Sequence, residues 1–221
     1  MSFYSEVKSE MISTRSKREC CRHAEGYAYM LLGKYKTKSN VKLRFLSEDE
    51  ANYIRYLFKK SFGISCSVSE IDEKFLLNFD LIPEEILKAI LNDRIDKNIL
   101  VCDNCLPAFL KGAFLSCGKI SDPIKEYHAE FVFKNEKIAF DFLQIVSSLF
   151  PLARLTERKN KYVVYIKDSE SIENLLTAID APNNSLHIMQ TTILKNIRNH
   201  ENRLNNFANA NLKKTTDSGF K

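Results

Sequence analysis

The strongest constraint on the fold of this chain is an internal repeat of secondary-structure signals. The order helix, strand, strand, helix, strand, strand, helix is predicted once along the first part of the chain and again along the second. Gly33 and Gly118 each end the opening helix of a unit, and Ile64 and Ala153 begin equivalent strands. These pairs place the two copies about 85 to 89 residues apart. A duplicated unit is therefore the most economical interpretation.

The predicted elements alternate between helical periodicity and the period-two pattern of half-exposed strands. One candidate hairpin turns at Ser39-Asn40 and another at Lys159-Asn160. In the first unit, elements are predicted at residues 2–13, 19–32, 34–38, 41–45, 48–62, 64–69, 74–79 and 83–91. In the second unit, they are predicted at residues 105–117, 119–121, 127–134, 136–149, 153–158, 161–167 and 169–179.

Each unit would contribute four short strands that need helices over one face only. The predicted fold class is therefore α+β, with two pseudo-symmetric α-β-β-α-β-β-α repeats whose free sheet faces form a saddle. The expected domains are residues 1–100 and 101–184, one repeat each, followed by a C-terminal helix at residues 185–221.

Composition favours an intracellular protein with an ordinary core. Hydrophobic residues make up 44% of the 221 residues, which suffices for a buried core without disulfides. The sequence has neither the roughly 20 consecutive apolar residues of a membrane span nor the apolar run of a signal peptide. Six cysteines are too sparse for a secreted disulfide framework and indicate free thiols. The expected location is the cytoplasm, in association with the nucleoid, and no membrane partner is expected.

Positive charge is concentrated near the end of the chain. The net charge of +5 is modest and by itself supports nucleic-acid binding only weakly. Residues 186–221 nevertheless hold six Lys or Arg against two acidic residues, which accounts for most of the excess. The same segment contains seven asparagines. They indicate either a polar surface that faces DNA or another domain, or a frayed helix end.

Motifs for metal, nucleotide or nucleophilic chemistry are weak. Cys102 and Cys105 have CxxC spacing, and the adjacent Cys20 and Cys21 could complement them, but adjacent cysteines are poor partners for one ion and cysteine is often a small core residue. The four histidines are scattered, and no GxGxxG or GxxxxGK[ST] pattern exists. We therefore expect no metal, no cofactor and no enzymatic activity.

The helix that opens the second unit resembles the LAGLIDADG helix of homing endonucleases in its sequence FLKGAFLSCG at residues 109–118. The resemblance implies two such helices packed side by side, each ending in an acidic residue that holds the catalytic metal. Here Leu115 and Cys117 stand at the acidic positions, and the matching segment of the first unit, GYAYMLLG at residues 26–33, also lacks an acid. Divalent Mg²⁺ requires carboxylate oxygens, so a nuclease mechanism of this kind is not expected.

Four further segments resemble the WhiA family in particular. They are SFYSEVKSEM at residues 2–11, CCRHAE at 20–25, FLKGAFLSCGKISDP with YHAEF at 109–131, and IRNHENRLNNFANANLKKT at 197–215. The resemblance implies a bacterial regulator of sporulation and cell division. It also implies a degenerate endonuclease-like domain joined to a C-terminal helix-turn-helix, which would follow the last residue of this sequence.

Basic residues at period two would lie on one face of their strands and could track DNA phosphates. Any half-exposed strand shows polar residues at this spacing, so the pattern alone leaves a purely solvated face as an equal alternative. With the resemblance, double-stranded DNA is the expected partner, and a protein partner such as the transcription machinery is a second. The expected DNA-binding residues are Lys34, Lys36, Lys42, Arg44, Lys119, Arg154, Arg158, Arg198 and Arg203. A protein-interaction scaffold that positions a separate helix-turn-helix without gripping DNA is the alternative function.

Overall fold

A computed structural model describes residues 2–33, 39–71 and 74–219 of the chain. The eight α-helices within these ranges are α1 (Phe3–Ser13), α2 (Glu19–Leu31), α3 (Glu48–Phe62), α4 (Glu84–Asn92), α5 (Cys105–Cys117), α6 (Glu136–Val146), α7 (Ser169–Ala178) and α8 (Pro182–Gly219). Its seven strands in the described ranges are β1 (Ser39–Phe45), β2 (Ser67–Ile71), β3 (Lys74–Leu81), β4 (Gly118–Ile120), β5 (Ala129–Phe133), β6 (Arg154–Arg158) and β7 (Lys161–Ile166).

The two halves of the chain build matching sheets, and the α+β prediction is confirmed. Strands pair antiparallel in the order β1-β3-β2 in the first half and β4-β5-β7-β6 in the second. In each half, a helix precedes the sheet, a second helix interrupts it and a third follows it. The division into repeats at residues 100 and 184 stays a prediction.

Local signals explain where several elements begin and end. Asn135 and Asp168 cap α6 and α7 by accepting hydrogen bonds from backbone N–H groups of the first turn. Gly63 ends α3 in the left-handed conformation, with φ at 69°. Lys159 and Asn160 both have positive φ, as a two-residue hairpin turn of this type requires, and the turn predicted there between β6 and β7 is confirmed.

The other predicted hairpin is wrong. Ser39 and Asn40 do not form a turn, because they begin strand β1, where Ser39 pairs with Leu81 of β3. The polar Ser-Asn pair resembles a turn locally, but cross-strand hydrogen bonding extends the strand through it. The strand predicted at residues 34–38 lies outside the described residues.

Helices α2 and α5 pack together at the centre of the molecule. Their N-terminal turns meet, with 4.0 Å between the sulfur atoms of Cys21 and Cys105, and further along both helices Glu25 meets Gly112, so the two helices run in the same direction. Gly112 permits close contact, because a side-chain carbon there would lie 2.0 Å from the carbonyl oxygen of Glu25. The predicted packing of the two repeat-opening helices is confirmed.

A buried polar network crosses this central contact. Glu25 on α2 and Lys111 on α5 are both almost fully buried. The Glu25 carboxylate accepts hydrogen bonds from the hydroxyls of Tyr53 and Ser16. The Lys111 ammonium donates to the Asp180 carboxylate at 2.8 Å. Burial raises the pKa of Glu25, and the positive charge of Lys111 opposes that rise.

Helix α8 first packs on the body and then leaves it. Near its start, the backbone N–H groups of Asn183 and Asn184 donate to the carboxylate of Glu10 on α1. Three turns later, the Lys195 ammonium donates to the carbonyl oxygen of Pro123 at 2.7 Å. From residue 196 to residue 216 every side chain is exposed. The asparagine-rich segment is thus part of a continuous projecting helix rather than a frayed end. Helix α8 as a whole begins at Pro182, three residues before the predicted start.

Candidate nucleic-acid interface

The solvent face of the second sheet carries most of the predicted basic residues of that half. Residues directly opposite each other in antiparallel strands point to the same face. Lys119 of β4 lies opposite Glu130 of β5, and Glu130 lies opposite Tyr165 of β7. Tyr165 in turn lies opposite Arg154 of β6. The other face is the core side, with Phe131 opposite Val164, both fully buried. Lys119 and Arg154 therefore both lie on the solvent-exposed face of this sheet.

Arg158 lies on the same face near the hairpin, opposite Lys161. It lines a shallow cavity of 370 Å³ together with Lys119, Lys167 and Glu130. Lys161 and Lys167 were not among the predicted DNA-binding residues. The period-two pattern on β7 and the register across the Lys159-Asn160 turn could have identified both.

Glu130 is an acidic residue within this basic face, and the periodicity of the basic residues alone did not predict it. Its carboxylate lies 3.4 Å from the Lys119 ammonium and 3.1 Å from the His128 ring nitrogen. Although burial acts to raise the pKa of Glu130, the hydrogen bond from His128 and the charge of Lys119 outweigh it and lower the pKa. Glu130 therefore remains a carboxylate and neutralises part of the surrounding positive charge.

The first sheet presents a smaller basic face. Lys42 and Arg44 are exposed on β1, opposite Asn78 and Leu76 of β3. The neighbouring Phe45 points to the core and is buried. Lys34 and Lys36, also expected in this surface, lie outside the described residues.

The two predicted residues of the tail are apart from the sheets. Arg198 and Arg203 are exposed on the projecting part of α8. Within the described ranges, Lys195 is the last side chain of α8 with a hydrogen bond to the body, at the loop that joins β4 and β5. The fold thus gathers the described strand cations into two faces and leaves these arginines on the projecting part of α8.

The helix ends that lead into the sheets carry no carboxylate in their last turns. Leu115 and Cys117, which stand at the acidic positions of the nuclease motif, are buried in the core. The last turn of α2 consists of Ala28, Tyr29, Met30 and Leu31. Hard divalent cations are held mainly by carboxylate oxygens, which these side chains do not supply.

The fold brings together the two cysteine pairs that the sequence presents separately. Sulfur atoms lie 3.7 Å apart between Cys20 and Cys102, 3.7 Å between Cys21 and Cys102, and 3.5 Å between Cys102 and Cys105. Hydrogen bonding with Cys105 lowers the pKa of Cys102 to about 6, whereas burial raises the pKa of Cys21. In the described part of the chain, this is the one group of three or more potential metal ligands.

Comparison with known proteins supports the resemblance seen in the sequence. The family model of the WhiA LAGLIDADG-like domain matches residues 106–198. The probable cell division protein WhiA of Clostridium botulinum (strain Hall) is 34% identical over 184 residues, which cover 83% of this chain and 52% of that protein. The probable cell division protein WhiA of Caldicellulosiruptor saccharolyticus is 32% identical over 246 residues, covering 100% of this chain and 75% of that protein. The chain belongs to the WhiA family.

Solved WhiA structures share the fold. Full-length DUF199/WhiA from Thermatoga maritima superposes with a TM-score of 0.75 at 20% identity, over 99% of this chain and 75% of that one. The N-terminal LAGLIDADG domain of DUF199/WhiA gives a TM-score of 0.64 at 20% identity, over 80% of this chain and 92% of that one. Against the clostridial WhiA relatives, the chain spans about half of their length. The relatives are named as cell division proteins, and the family and fold predictions are confirmed.

A membrane-spanning role has no support in the helices. Across residues 2–33, 39–71 and 74–219, none of the helices combines the length and the apolar character that crossing a bilayer requires.

Proposed function

We propose that this WhiA-family chain binds double-stranded DNA through the solvent faces of its two sheets, as part of a bacterial regulator of cell division and sporulation. The observation that carries the proposal is the register of the second sheet, which sets Lys119, Arg154 and Arg158 on one solvent face. Lys42 and Arg44 provide the corresponding surface of the first sheet. DNA offers a negative charge about every 1.7 Å along its axis, which matches extended basic surfaces of this kind.

The binding should be largely independent of sequence. Lysine and arginine on a sheet face contact phosphates, which position a protein on DNA but carry no base information. Base readout would belong to a helix-turn-helix domain connected through α8. The projecting part of α8 supports this, since the 21 exposed residues from 196 to 216 span roughly 30 Å at 1.5 Å each.

We propose further that the chain does not cleave the DNA that it binds. Leu115 and Cys117 occupy the positions where the nuclease motif places an acid, and both are buried among apolar side chains. Glu25, the acid nearest in sequence to the end of α2, is held by Tyr53 and Ser16 inside the core. Without a carboxylate at the helix ends, no Mg²⁺ would be positioned for phosphodiester hydrolysis.

A labelled duplex titrated with the protein at several salt concentrations tests the first proposal. The expected result is binding at low salt whose affinity falls with a log–log slope of about −0.9 for each neutralised phosphate. Incubation of supercoiled plasmid with the protein and Mg²⁺ tests the second, and the plasmid should remain supercoiled. Nicked or linear product would contradict the proposed lack of cleavage.

A protein-interaction scaffold is the second candidate function, and one observation favours it. The projecting part of α8 exposes large apolar side chains, including Ile197, Leu204 and Phe207, each at least half exposed. Side chains of this type on a solvated helix commonly mark a protein contact. If the duplex shows no binding even at low salt, the scaffold becomes the better description of this chain.

A further inference from the structure

We infer that Cys20, Cys21, Cys102 and Cys105 form a structural zinc site that joins the two halves of the molecule. The sequence alone led to the opposite expectation, because adjacent cysteines are poor partners for one ion and cysteine is often a small core residue. This inference concerns the stability of the fold and does not depend on DNA binding.

The spacing of the four sulfur atoms fits one tetrahedral metal ion. Zinc binds thiolate sulfur at about 2.3 Å, so a regular tetrahedron places its sulfur atoms about 3.8 Å apart. Four of the six distances between these sulfur atoms are 3.5, 3.7, 3.7 and 4.0 Å. All four sulfurs lie within 4.8 Å of one another. An iron–sulfur cluster would need room for several iron and sulfide atoms between its ligands, and this spacing does not leave that room.

The surroundings suit the charge of such a site. Four thiolates around Zn²⁺ carry a net charge of −2. Cys20 and Cys21 lie in the first turn of α2 and Cys105 begins α5, so the N-terminal ends of two helices face the sulfurs. Helix N-terminal ends carry partial positive charge and stabilise thiolates. Arg18, which lines the same cavity as Cys21, adds a positive charge beside the cluster.

The site is accessible from solvent. Cys21 lines a cavity of 580 Å³ together with Arg18 and Asn104, and Cys20 lines a second cavity of 590 Å³ with Glu19. An ion can therefore reach the cysteines in the folded protein, which is one of the requirements for a functional metal site.

The position of the cluster indicates a structural rather than a catalytic role. The cysteines lie at the N-terminal ends of α2 and α5, whereas the sheets follow the C-terminal ends. The thirteen residues of α5 span roughly 20 Å at 1.5 Å per residue, which separates the cluster from the strand β4 that follows α5. A metal here would connect α2 of the first half to α5 of the second and would stabilise their contact.

The first test measures zinc in the purified protein. The protein is produced in zinc-supplemented medium, purified with reductant and without chelator, and analysed by elemental mass spectrometry. About one zinc ion per chain is expected. The variant Cys102→Ser/Cys105→Ser should hold less than about one tenth of that, because two thiolates are too few for a closed structural site. Cys66→Ser is the matched control, since Cys66 lies outside the cluster, and it should retain the wild-type zinc content.

A second measurement covers the case in which the double variant fails to fold. Wild-type protein stripped of metal and loaded with Co²⁺ should show the intense visible absorption of tetrahedral thiolate coordination, and the melting temperature of the zinc-loaded protein should fall on treatment with chelator. Weak absorption typical of oxygen ligands, wild-type protein without zinc, or full zinc retention by the folded double variant would each overturn the inference. So would a Cys102–Cys105 disulfide found by mass spectrometry in the metal-free, reductant-purified protein.

Discussion

Gly112 on α5 packs directly on the backbone carbonyl of Glu25 on α2, so closely that a methyl group at position 112 would lie 2.0 Å from the carbonyl oxygen. Replacing a helical glycine with alanine ordinarily stabilises a helix by roughly 1 kcal/mol. Here the added carbon would push the two central helices apart. We expect Gly112→Ala to lower the free energy of unfolding by about 1–3 kcal/mol, measured by urea denaturation.

Gly26→Ala is the matched control for this prediction. A side-chain carbon at Gly26 on α2 would lie 2.6 Å from the hydroxyl oxygen of Ser61, which can rotate away, and 2.9 Å from the Ser61 Cβ, a milder clash than the 2.0 Å contact at Gly112. The change at Gly26 should therefore cost less than the change at Gly112. An unfolding free energy of Gly112→Ala at or above that of the wild type would show that the helices do not meet as described.

The double change Lys42→Ala/Arg44→Ala should weaken DNA binding by an electrostatic mechanism. Both side chains are exposed on the solvent face of β1. Losing two phosphate contacts should flatten the log–log salt slope by up to about two units and leave base preference unchanged. Titration of a labelled duplex at several salt concentrations measures both quantities.

The control removes the same charge from another surface. Lys59 and Lys60 are exposed in the last turn of α3, away from the sheet faces. Lys59→Ala/Lys60→Ala changes the net charge equally, so its salt slope should stay near that of the wild type. Equal slopes for the two double variants would mean that DNA responds only to net charge and does not contact β1.

Glu130→Gln should strengthen DNA binding. The carboxylate of Glu130 pairs with Lys119 at 3.4 Å and places negative charge within the basic face. Its replacement removes repulsion of phosphate and releases the lysine, so the salt slope should steepen by up to about one unit. Glu157→Gln provides the comparison, because Glu157 lies opposite Tyr162 and so belongs to the other face of the same sheet. If both variants bind DNA equally tightly, the position of the Glu130 charge on the solvent face does not affect DNA binding.

Lys111→Met should destabilise the protein more than the double variant Glu25→Gln/Lys111→Met. The single change leaves the buried carboxylate of Glu25 without the lysine charge, a situation that typically costs about 3–5 kcal/mol. The double variant removes the uncompensated charge of Glu25 as well. Urea unfolding of both variants and of Glu25→Gln gives the coupling energy as a double-mutant cycle.

The loss of unfolding free energy caused by Lys111→Met should also depend on pH. Burial raises the pKa of Glu25, and loss of the Lys111 charge removes the main opposing influence. An acid whose pKa is raised on folding favours the folded state below its usual pKa of about 4.5 and loses that stabilisation as the pH rises through the folded value. The stability of Lys111→Met should therefore approach that of the wild type as the pH falls. A deficit that is the same at acidic and neutral pH would contradict this account.

The sequence by itself determined the elements, the fold class and the family. Period-two alternation identified β6 and β7, their turn contains Asn160, a residue type that tolerates positive φ, and Gly63 ended α3 where the pattern predicted. These features depend on residues only a few positions apart along the chain, so the sequence alone is sufficient to predict them. Ser39-Asn40 shows the limit of such local reasoning, because pairing with β3 overrode a turn-like dipeptide.

Only the tertiary structure decided which distant residues meet. Cys20 and Cys102 are separated by 82 positions along the chain, yet their sulfur atoms lie 3.7 Å apart because α2 and α5 run side by side. Glu130 entered the basic face in the same way, through the register that aligns it with Lys119. Spacing along the chain places residues on a helix or strand face, but helix packing and strand register determine which faces meet. The composition of the candidate sites therefore became visible only with the fold.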